Sequence, residues 1–269
     1  MGRPEWAPEP VNLDVPSSAR VWDYFLGGSH NFAADRRVAD AAIAMKPDLP
    51  QLARAVRLFL RRVVQLVARA GVDQFLDIGA GIPTVGTVHE TAGRMNPETR
   101  VAYVDHDPVA VAHGRALLGQ NARTIAVHGD LCHPKEILAD PEVRALLDFD
   151  RPICLLLCSV LHFVPDEADP HGIVAQLMES LAPGSYLAIQ HATPDEQPRA
   201  TIEMLEMWNA NSPEPMYWRS RAGVTRYFDG LRLIGPGVVF LPDWGLQPGE
   251  ERAEQPERFA SYAALGRKD

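Results

Sequence analysis

The sequence predicts an α/β fold, in which a mostly parallel sheet carries helices on both faces and follows an N-terminal helical extension. Two observations predict it. Helical and strand patterns alternate from residue 72 onward, and this alternation is typical of parallel sheets with crossover helices. Short apolar runs bounded by glycine, of which residues 74–78 are the clearest, indicate strands that are buried on both faces. We therefore divide the chain into a helical extension over 1–71 and a sheet domain over 72–269.

The helical extension contains three predicted helices. Ser17 or Ser18 can cap a short first helix that runs to Phe25, and a second helix is predicted over 33–45. Apolar residues recur at helical spacing over 52–70, which predicts the longest helix. Its arginines lie opposite the apolar stripe and are expected to form a solvent-exposed face: Arg54, Arg57, Arg61 and Arg62.

Strands and helices take turns through the sheet domain. After the strand at 74–78, helices are expected from Thr84 and over 108–118, 173–181, 201–210 and 221–228. The remaining strand patterns cover 100–104, 124–127, 153–158, 185–190, 238–241 and 259–265. Ligands bind beyond the carboxyl ends of the strands in such sheets, so we expect the functional site at that edge.

The strongest local motif is the strand tip and turn that runs from Asp77 to Gly81. Gly79 and Gly81 permit a tight turn and let the backbone, including Ala80, approach a ligand closely. The third glycine of the dinucleotide fingerprint is absent, since Thr84 stands at its position. The Asp77 carboxylate would oppose a pyrophosphate, whereas it complements a ligand with an ammonium and a sulfonium, such as S-adenosylmethionine. The alternative is that Asp77 merely caps the following turn.

Two further carboxylates follow the next two strands. Asp105, which precedes His106, can accept both hydroxyl groups of a ribose. Asp130 can accept the exocyclic amine of an adenine while Leu131 packs against the ring. Asp107 is better interpreted as the N-cap of the next helix. Acidic residues at three successive strand tips, beside a glycine turn, together predict a site for S-adenosylmethionine.

These residues resemble known motifs. Residues 75–81, Asp105 and 129–130 resemble the first three motifs of Rossmann-like methyltransferases, and residues 19–28 resemble the head of a bacterial family named S-adenosyl methyltransferase, formerly a domain of unknown function. Further segments extend this likeness to nearly the whole chain: 31–32, 35–36, 155–166, 184–187, 228–230 and 236–239. The resemblance implies a Rossmann-like sheet of seven strands and an enzyme with S-adenosylmethionine as cofactor and S-adenosylhomocysteine as product. It implies no particular acceptor.

Candidates for the chemistry follow the fourth and fifth strands. Methyl transfer requires mainly that the acceptor be held in line and water be excluded, and a base is needed only for a protonated acceptor. Ser159 and His162 follow the fourth strand, where methyltransferases bring the methyl donor and the acceptor together. His162 is the first candidate for a base or an acceptor-orienting group, and His191 is the second. The alternative for each is a structural histidine at a strand end.

Residues near the N-terminus are candidates for a lid. The candidates flank a glycine pair that permits a sharp reversal, and we expect them to cover the cofactor: Trp22, Tyr24, Asn31 and Phe32. An aromatic ring in such a lid could stabilise a sulfonium by a cation–π contact. Trp22 and Phe25 could equally belong to the core.

Charge and composition argue against several classes of partner. The formal net charge of −9 disfavours nucleic acid, whose binding depends on clustered lysine and arginine. No apolar run approaches the ~20 residues of a membrane span, and the first residues do not resemble a signal peptide, so we expect a cytoplasmic protein without membrane contact. A small-molecule acceptor is the expected partner, and the oligomeric state stays open.

Other chemistries have weaker support. His128, Cys132 and His133 lack a second ligand pair, so no metal site is predicted. The sequence contains no G-x-S-x-G, H-E-x-x-H or G-x-x-x-x-G-K motif, which argues against hydrolases, zinc proteases and nucleoside triphosphatases. Two alternatives to methyl transfer stay open: a non-catalytic sensor of S-adenosylmethionine or S-adenosylhomocysteine and, less favoured, an NAD-dependent oxidoreductase.

Overall fold

The secondary structure follows the predicted alternation. A computed structural model describes residues 12–83, 86–119, 121–211, 214–246 and 249–269. The helices are α1 (Ser18–Phe25), α2 (Ala33–Met45), α3 (Leu49–Arg69), α4 (Val88–Gly93), α5 (Pro108–Leu118), α6 (Pro134–Ala139), α7 (Pro141–Leu146), α8 (Pro170–Glu179), α9 (Arg199–Asn211) and α10 (Arg221–Arg226). The strands are β1 (Gln74–Ile78), β2 (Arg100–Asp105), β3 (Thr124–His128), β4 (Cys154–Cys158), β5 (Tyr186–Ala192), β6 (Arg232–Phe240) and β7 (Ser261–Arg267).

The strands form one sheet in the order β3-β2-β1-β4-β5-β7-β6. The pairs among β1 to β5 are all parallel, whereas β7 is antiparallel to both β5 and β6. The predicted Rossmann-like sheet of seven mostly parallel strands is therefore confirmed. β2 and β3 lie on one side of β1, and β4 and the later strands lie on the other, so the strand order switches between β1 and β4. Sheets of this kind bind ligands in the crevice at the carboxyl ends of the two strands that flank such a switch.

The sheet is covered on both faces because successive strand residues point to opposite sides. Leu76 and Leu155 belong to one apolar cluster, with α6 and α8, while Phe75 and Leu156 belong to another, with α3 and α4. Every residue of β1 is buried, which explains why the strands read as continuous apolar runs rather than alternating ones.

The N-terminal helices pack partly on each other and partly on the sheet. α1, α2 and the start of α3 share a small cluster that contains Val21, Phe25 and Ala39. The rest of α3 packs on the sheet, where Phe59 meets Trp244 edge-on at a centroid distance of 4.9 Å. α3 thus contributes to the small N-terminal cluster and to the core of the sheet domain. The predicted division of the chain at residue 71 therefore stays a prediction.

Some elements differ from the predicted ones. α6 and α7 were not predicted, because six residues that begin with proline give too little periodicity to recognise. The predicted helix start at Thr84 lies outside the described residues, and α4 begins at Val88. Within the described part of the chain, no helix combines the length and the apolar character that a membrane crossing needs.

Candidate functional site

The turn after β1 is shaped by two glycines with left-handed backbone. Gly79 has a φ of +74° and Gly81 a φ of +62°. A Cβ atom at Gly79 would lie 2.4 Å from a methyl carbon of Val160, so the close approach of the β4 loop requires glycine here. A Cβ atom at Gly81 would meet only Ala19, at 4.0 Å. The turn is therefore packed tightly on one side and open on the other.

Asp105 links the tips of β1 and β2. Its carboxylate accepts hydrogen bonds from the N–H of Gly81 at 2.7 Å and from the N–H of Asp107 at 2.9 Å. Burial raises the pKa of Asp105, and the hydrogen bond from Asp107 opposes that effect. Each carboxylate oxygen can accept a second hydrogen bond, so Asp105 can fix the glycine turn and still bind a ribose hydroxyl.

Asp77 is a buried carboxylate without a hydrogen bond from any described residue. Its exposed fraction is 4%, and burial raises its pKa to about 7, with the Arg57 guanidinium opposing the shift. The Nε atom of Arg57 is itself buried without a hydrogen-bond partner among the described residues. Asp77 and Arg57 are thus neighbouring groups of opposite charge. Each of them can still form a hydrogen bond that no described residue provides.

The third strand tip is more open. Asp130 is about half exposed and accepts hydrogen bonds from the N–H of Cys132, at 2.8 Å, and from the ring of His133. Leu131 is buried in the core. Asp130 is therefore a half-exposed carboxylate at the edge of the site, and the neighbouring Leu131 provides a buried apolar surface.

A cavity of about 400 Å³ lies between these tips and the N-terminal helices. One side, here named the strand-tip wall, consists of lining residues from 77–81, 105–106, 129–132 and 158–164, together with Glu214. The other side, the helical wall, consists of lining residues from α1, α2 with Lys46, α3, α9 and the segment 215–218. The strand-tip wall brings together ten residues singled out from the sequence: Asp77, Gly79, Ala80, Gly81, Asp105, His106, Asp130, Leu131, Ser159 and His162.

Ser159 has unusual backbone geometry at the tip of β4. Its φ is +59°, which is rare for a residue other than glycine. Its hydroxyl donates to Gln190 Oε1 at 2.5 Å, and its N–H donates to the Gln190 carbonyl at 3.2 Å. These two bonds to β5 hold a strained residue against the cavity, as is common where a site requires a particular geometry.

His162 lines the cavity but is poorly suited to act as a base. Its exposed fraction is 6%, and no described residue forms a hydrogen bond with either ring nitrogen. Burial and the nearby Arg219 cation lower the pKa of His162 to about 3. The imidazole is therefore neutral at physiological pH and is a weak proton acceptor, which favours the acceptor-orienting role over the base.

His191 does not line the cavity. Its Nδ1 donates to the Ala192 carbonyl at 2.6 Å, which leaves Nε2 to accept from Arg219 at 3.1 Å. Arg219 is 8% exposed and also donates to the carbonyls of Leu161, at 2.9 Å, and Val164, at 2.8 Å. His191 thus supports the arginine that holds the β4 loop, so the geometry fits the structural alternative rather than contact with a substrate.

Of the four lid candidates, Trp22 lines the cavity, whereas Tyr24, Asn31 and Phe32 lie outside its lining. The Tyr24 hydroxyl donates to Asp40 at 2.8 Å, and the Asn31 amide donates to Asp23 at 2.9 Å. The Arg20 guanidinium lies 5.4 Å from the centre of the Phe32 ring. These contacts hold the turn between α1 and α2, and other residues of both helices line the cavity.

A polar clasp joins α1 to the strand-tip wall. Glu214 accepts hydrogen bonds from the N–H of Ser18, at 3.0 Å, and from His106 Nε2, at 3.1 Å. The bond to Glu214 is the main reason that the pKa of His106 is raised to about 9, with Asp105 adding to it. Ser17 bonds to Asp107 nearby. The clasp closes the cavity over the tip of β2.

Sequence reasoning missed Arg57 and Glu214. Arg57 was grouped with a solvent-exposed face; that expectation is wrong for Arg57, which lines the cavity, and for Arg62, which bonds to the Trp244 carbonyl at 3.1 Å. Arg54 and Arg61 are exposed, as expected. Arg57 follows Val56 of the apolar stripe directly, and this border position was the available signal. Glu214 offered none, because its partners are distant in sequence.

Comparisons with known proteins agree with this geometry. A family model described as S-adenosyl methyltransferase matches residues 4–269. The crystal structure of a DUF574 family protein from Streptomyces avermitilis has 38% identity and a TM-score of 0.90, over 96% of this chain and 100% of that one. A Thermobifida fusca protein provisionally assigned as a methyltransferase has 36% identity and a TM-score of 0.88, over 99% of this chain and 100% of that one.

More distant likeness concerns the fold alone. An O-methyltransferase family protein from Burkholderia thailandensis is 14% identical and has a TM-score of 0.52, over 95% of this chain and 65% of that one. No curated protein matches the sequence. Among the described residues, no group of three or more histidine, cysteine, aspartate or glutamate side chains is placed to hold a metal ion.

Proposed function

The chain belongs to the S-adenosyl methyltransferase family, and from that premise we propose that it methylates a small molecule held between the strand-tip wall and the helical wall. The enzyme class and the cofactor follow from the family. The roles of individual residues and the nature of the acceptor are the proposal.

The residues present fit the amino-acid end of S-adenosylmethionine. Asp77 is a buried carboxylate with free hydrogen-bonding capacity, and Arg57 is a neighbouring cation with an unpartnered Nε. A ligand that carries an ammonium and a carboxylate side by side would satisfy both groups, and this pairing carries the proposal. The open space before Gly81 leaves room for the ligand to approach the backbone.

The other two strand tips fit adenosine. Asp105 would accept the ribose hydroxyls with the lone pairs left over from its bonds to Gly81 and Asp107. Asp130, at the open rim, would accept the adenine amine while Leu131 packs against the ring. His106, held by Glu214, would cover this end of the ligand.

The protein's part in the reaction is to position the acceptor and to exclude water. Bound in this site, S-adenosylmethionine supplies a methyl carbon on a sulfonium, which an acceptor nucleophile can attack in line. Neutral His162 would orient that nucleophile, and Ser159 would set the position of the β4 loop. Trp22 of α1 would shield the site from solvent.

The alternatives fit these features less well. A sensor would need the cofactor residues alone, yet the cavity continues along the helical wall as far as Trp208 and Trp218. A nicotinamide enzyme would bring a pyrophosphate against the Asp77 carboxylate, and the Arg57 cation is a single positive charge to set against both anions.

Calorimetric titration with S-adenosylmethionine, S-adenosylhomocysteine and NAD tests the proposed site. We expect the first two to bind and NAD not to bind. Arg57→Met should weaken both by about tenfold, because it removes a charge-assisted contact with the ligand carboxylate. Arg54→Met is the matched control, since Arg54 lies on the same helix and is exposed. Binding of NAD alone, or equal effects of the two substitutions, would contradict the proposal.

A further inference from the structure

The two walls of the cavity differ in charge. The carboxylates that line it are Asp77, Asp105, Asp130 and Glu214, all of which belong to the strand-tip wall. The helical wall contributes no acidic side chain among its described lining residues, and its charged members are Lys46 and Arg57. If Arg57 serves the cofactor, Lys46 is the cation left for the acceptor.

Lys46 has hydrogen-bonding capacity to spare. Its ammonium donates to the Arg258 carbonyl at 2.8 Å, and no other described group accepts from it. An ammonium carries three donors, so two have no partner within the described chain. Burial lowers the pKa of Lys46; the Asp48 carboxylate opposes this effect, and the neighbouring Arg258 cation adds to it. A partly desolvated cation that faces a cavity is complementary to an anion.

Aromatic rings make up much of the helical wall. Trp22 and Phe25 come from α1, Trp208 from α9, and Trp218 from the segment that follows it. The Trp208 indole is fixed by a 3.0 Å bond to the Glu214 carbonyl, and Asn209 exchanges two hydrogen bonds with the Met216 backbone, at 2.8 and 2.9 Å. A wall of aromatic rings, one of them fixed by a hydrogen bond, favours a flat, rigid ligand, because stacked rings gain more than area burial alone provides.

We propose that the acceptor is an aromatic acid, whose rings pack against the helical wall and whose anionic group binds Lys46. This inference rests on the proposed function, since it assigns the acceptor of that site. The cavity of about 400 Å³ must also hold the cofactor, which limits the acceptor to a small ring system. The helical wall disfavours a protonated amine, because none of its described lining residues is acidic and Lys46 would repel a second cation. The carboxylate near Lys46, Asp48, does not line the cavity and is paired with Arg258 at 3.6 Å.

The test is calorimetric binding of three probes to the protein saturated with S-adenosylhomocysteine. The probes are 2-naphthoate, its neutral amide 2-naphthamide, and the saturated anion decahydro-2-naphthoate. We expect 2-naphthoate to bind about tenfold more tightly than the amide, for the lost charge-assisted contact, and about fivefold more tightly than the saturated anion, for the lost stacking.

Substitution separates the role of Lys46 from a general effect of charge. Lys46→Met should remove the preference for 2-naphthoate over the amide and leave the affinity for S-adenosylhomocysteine unchanged. Lys135→Met is the matched control, because Lys135 is exposed on α6 and does not line the cavity; it should change nothing.

The failures are distinguishable. Binding of S-adenosylhomocysteine without any preference for the aromatic anion, or a preference that survives Lys46→Met, would overturn the acceptor assignment and leave the cofactor site standing. A protein that does not bind S-adenosylhomocysteine at all would overturn the proposed function, and the acceptor assignment with it.

Discussion

The two walls of the cavity are built on different principles. In the strand-tip wall, the positions of the polar groups are fixed by the sheet and its turns. For example, Asp105 accepts a hydrogen bond from the Gly81 N–H, and Gly79 packs against Val160. The helical wall is made of side chains from the three N-terminal helices and from the distant α9 and segment 215–218, and its surface is mainly apolar. A fixed polar frame suits a constant cofactor, whereas a wall of side chains can change its acceptor through substitution without disturbing the sheet.

The comparison also explains where the structural support lies. The turns after β1 and β2 are stabilised from within the site, by groups that would touch the cofactor. The β4 loop, where the two walls meet, is stabilised from behind, by Arg219 and its bonds to the Leu161 and Val164 carbonyls. Substitutions in the two regions should therefore separate effects on stability from effects on ligand binding.

The largest expected effect comes from Arg219→Met. The substitution leaves two buried carbonyl groups and His191 without their donor, so the free energy of unfolding should fall by about 3–5 kcal/mol. Chemical denaturation measures this change. Asp166→Asn is the control: Asp166 bonds to the same arginine at 2.6 Å but its side chain is 78% exposed, so its loss should cost less than about 1 kcal/mol. Equal losses would show that Arg219 is not an internal support.

Asp77→Asn should have the opposite effect on stability. Burial raises the pKa of Asp77 from an ordinary value of 3.8 to about 7 in the folded protein, so the native state binds its proton more tightly than the unfolded state. The carboxylate therefore destabilises the fold increasingly as the pH rises from about 4 to about 7. Asn at this position should raise the free energy of unfolding at pH 8 by about 2–4 kcal/mol, and by little at pH 4.

The same substitution should weaken cofactor binding, because the ligand ammonium loses its charged partner. In the unsubstituted protein, binding near pH 7 should release a proton from Asp77, which calorimetry in buffers of different ionisation enthalpy detects. A variant that gains no stability at pH 8, or that binds the cofactor as well as the parent, would show that Asp77 is not a destabilised binding group.

Asp105→Ala should have the smallest of the three effects. Removal of the carboxylate loses the ribose contact and should weaken S-adenosylmethionine binding by about 1.5–3 kcal/mol, as calorimetric titration would measure. Asp105→Asn is the comparison variant, since its amide oxygen can still accept from one backbone N–H and help to hold the glycine turn. Unchanged affinity in Asp105→Ala would mean that Asp105 serves the turn alone.

Apart from Glu214, the strand-tip wall could be predicted from the sequence, because its residues lie at the ends of recognisable strands. Asp77 and Asp105 were placed by the apolar runs before them, and Asp107 is the predicted N-cap, with its carboxylate accepting from the Val109 N–H at 2.8 Å. The local pattern was sufficient because the carboxyl ends of parallel strands meet at the edge of the sheet where ligands bind.

The helical wall could not be predicted in the same way. Periodicity predicts which face of α3 is apolar, but it does not predict that a cavity lies beside that face. For this reason the sequence predicts a solvent-exposed Arg57, whereas Arg57 lines the cavity. Arg219 lies in a segment without helical or strand periodicity, and its burial depends on partners more than 25 residues away, such as His191 and Leu161. Such contacts are set by how elements meet, and no local pattern records them.

The position of β7 has a consequence for synthesis on the ribosome. β6 pairs with β7 alone among the described strands, and β7 also covers the edge of β5. A nascent chain that has reached residue 240 therefore carries an uncovered β5 edge and a β6 without a neighbour, both of which are prone to unwanted pairing. Ser261, at the start of β7, also lines the cavity. The strand that covers these edges is thus the one that completes the ligand site. The chain therefore becomes able to bind its ligand at the same step of synthesis at which its exposed strand edges are covered.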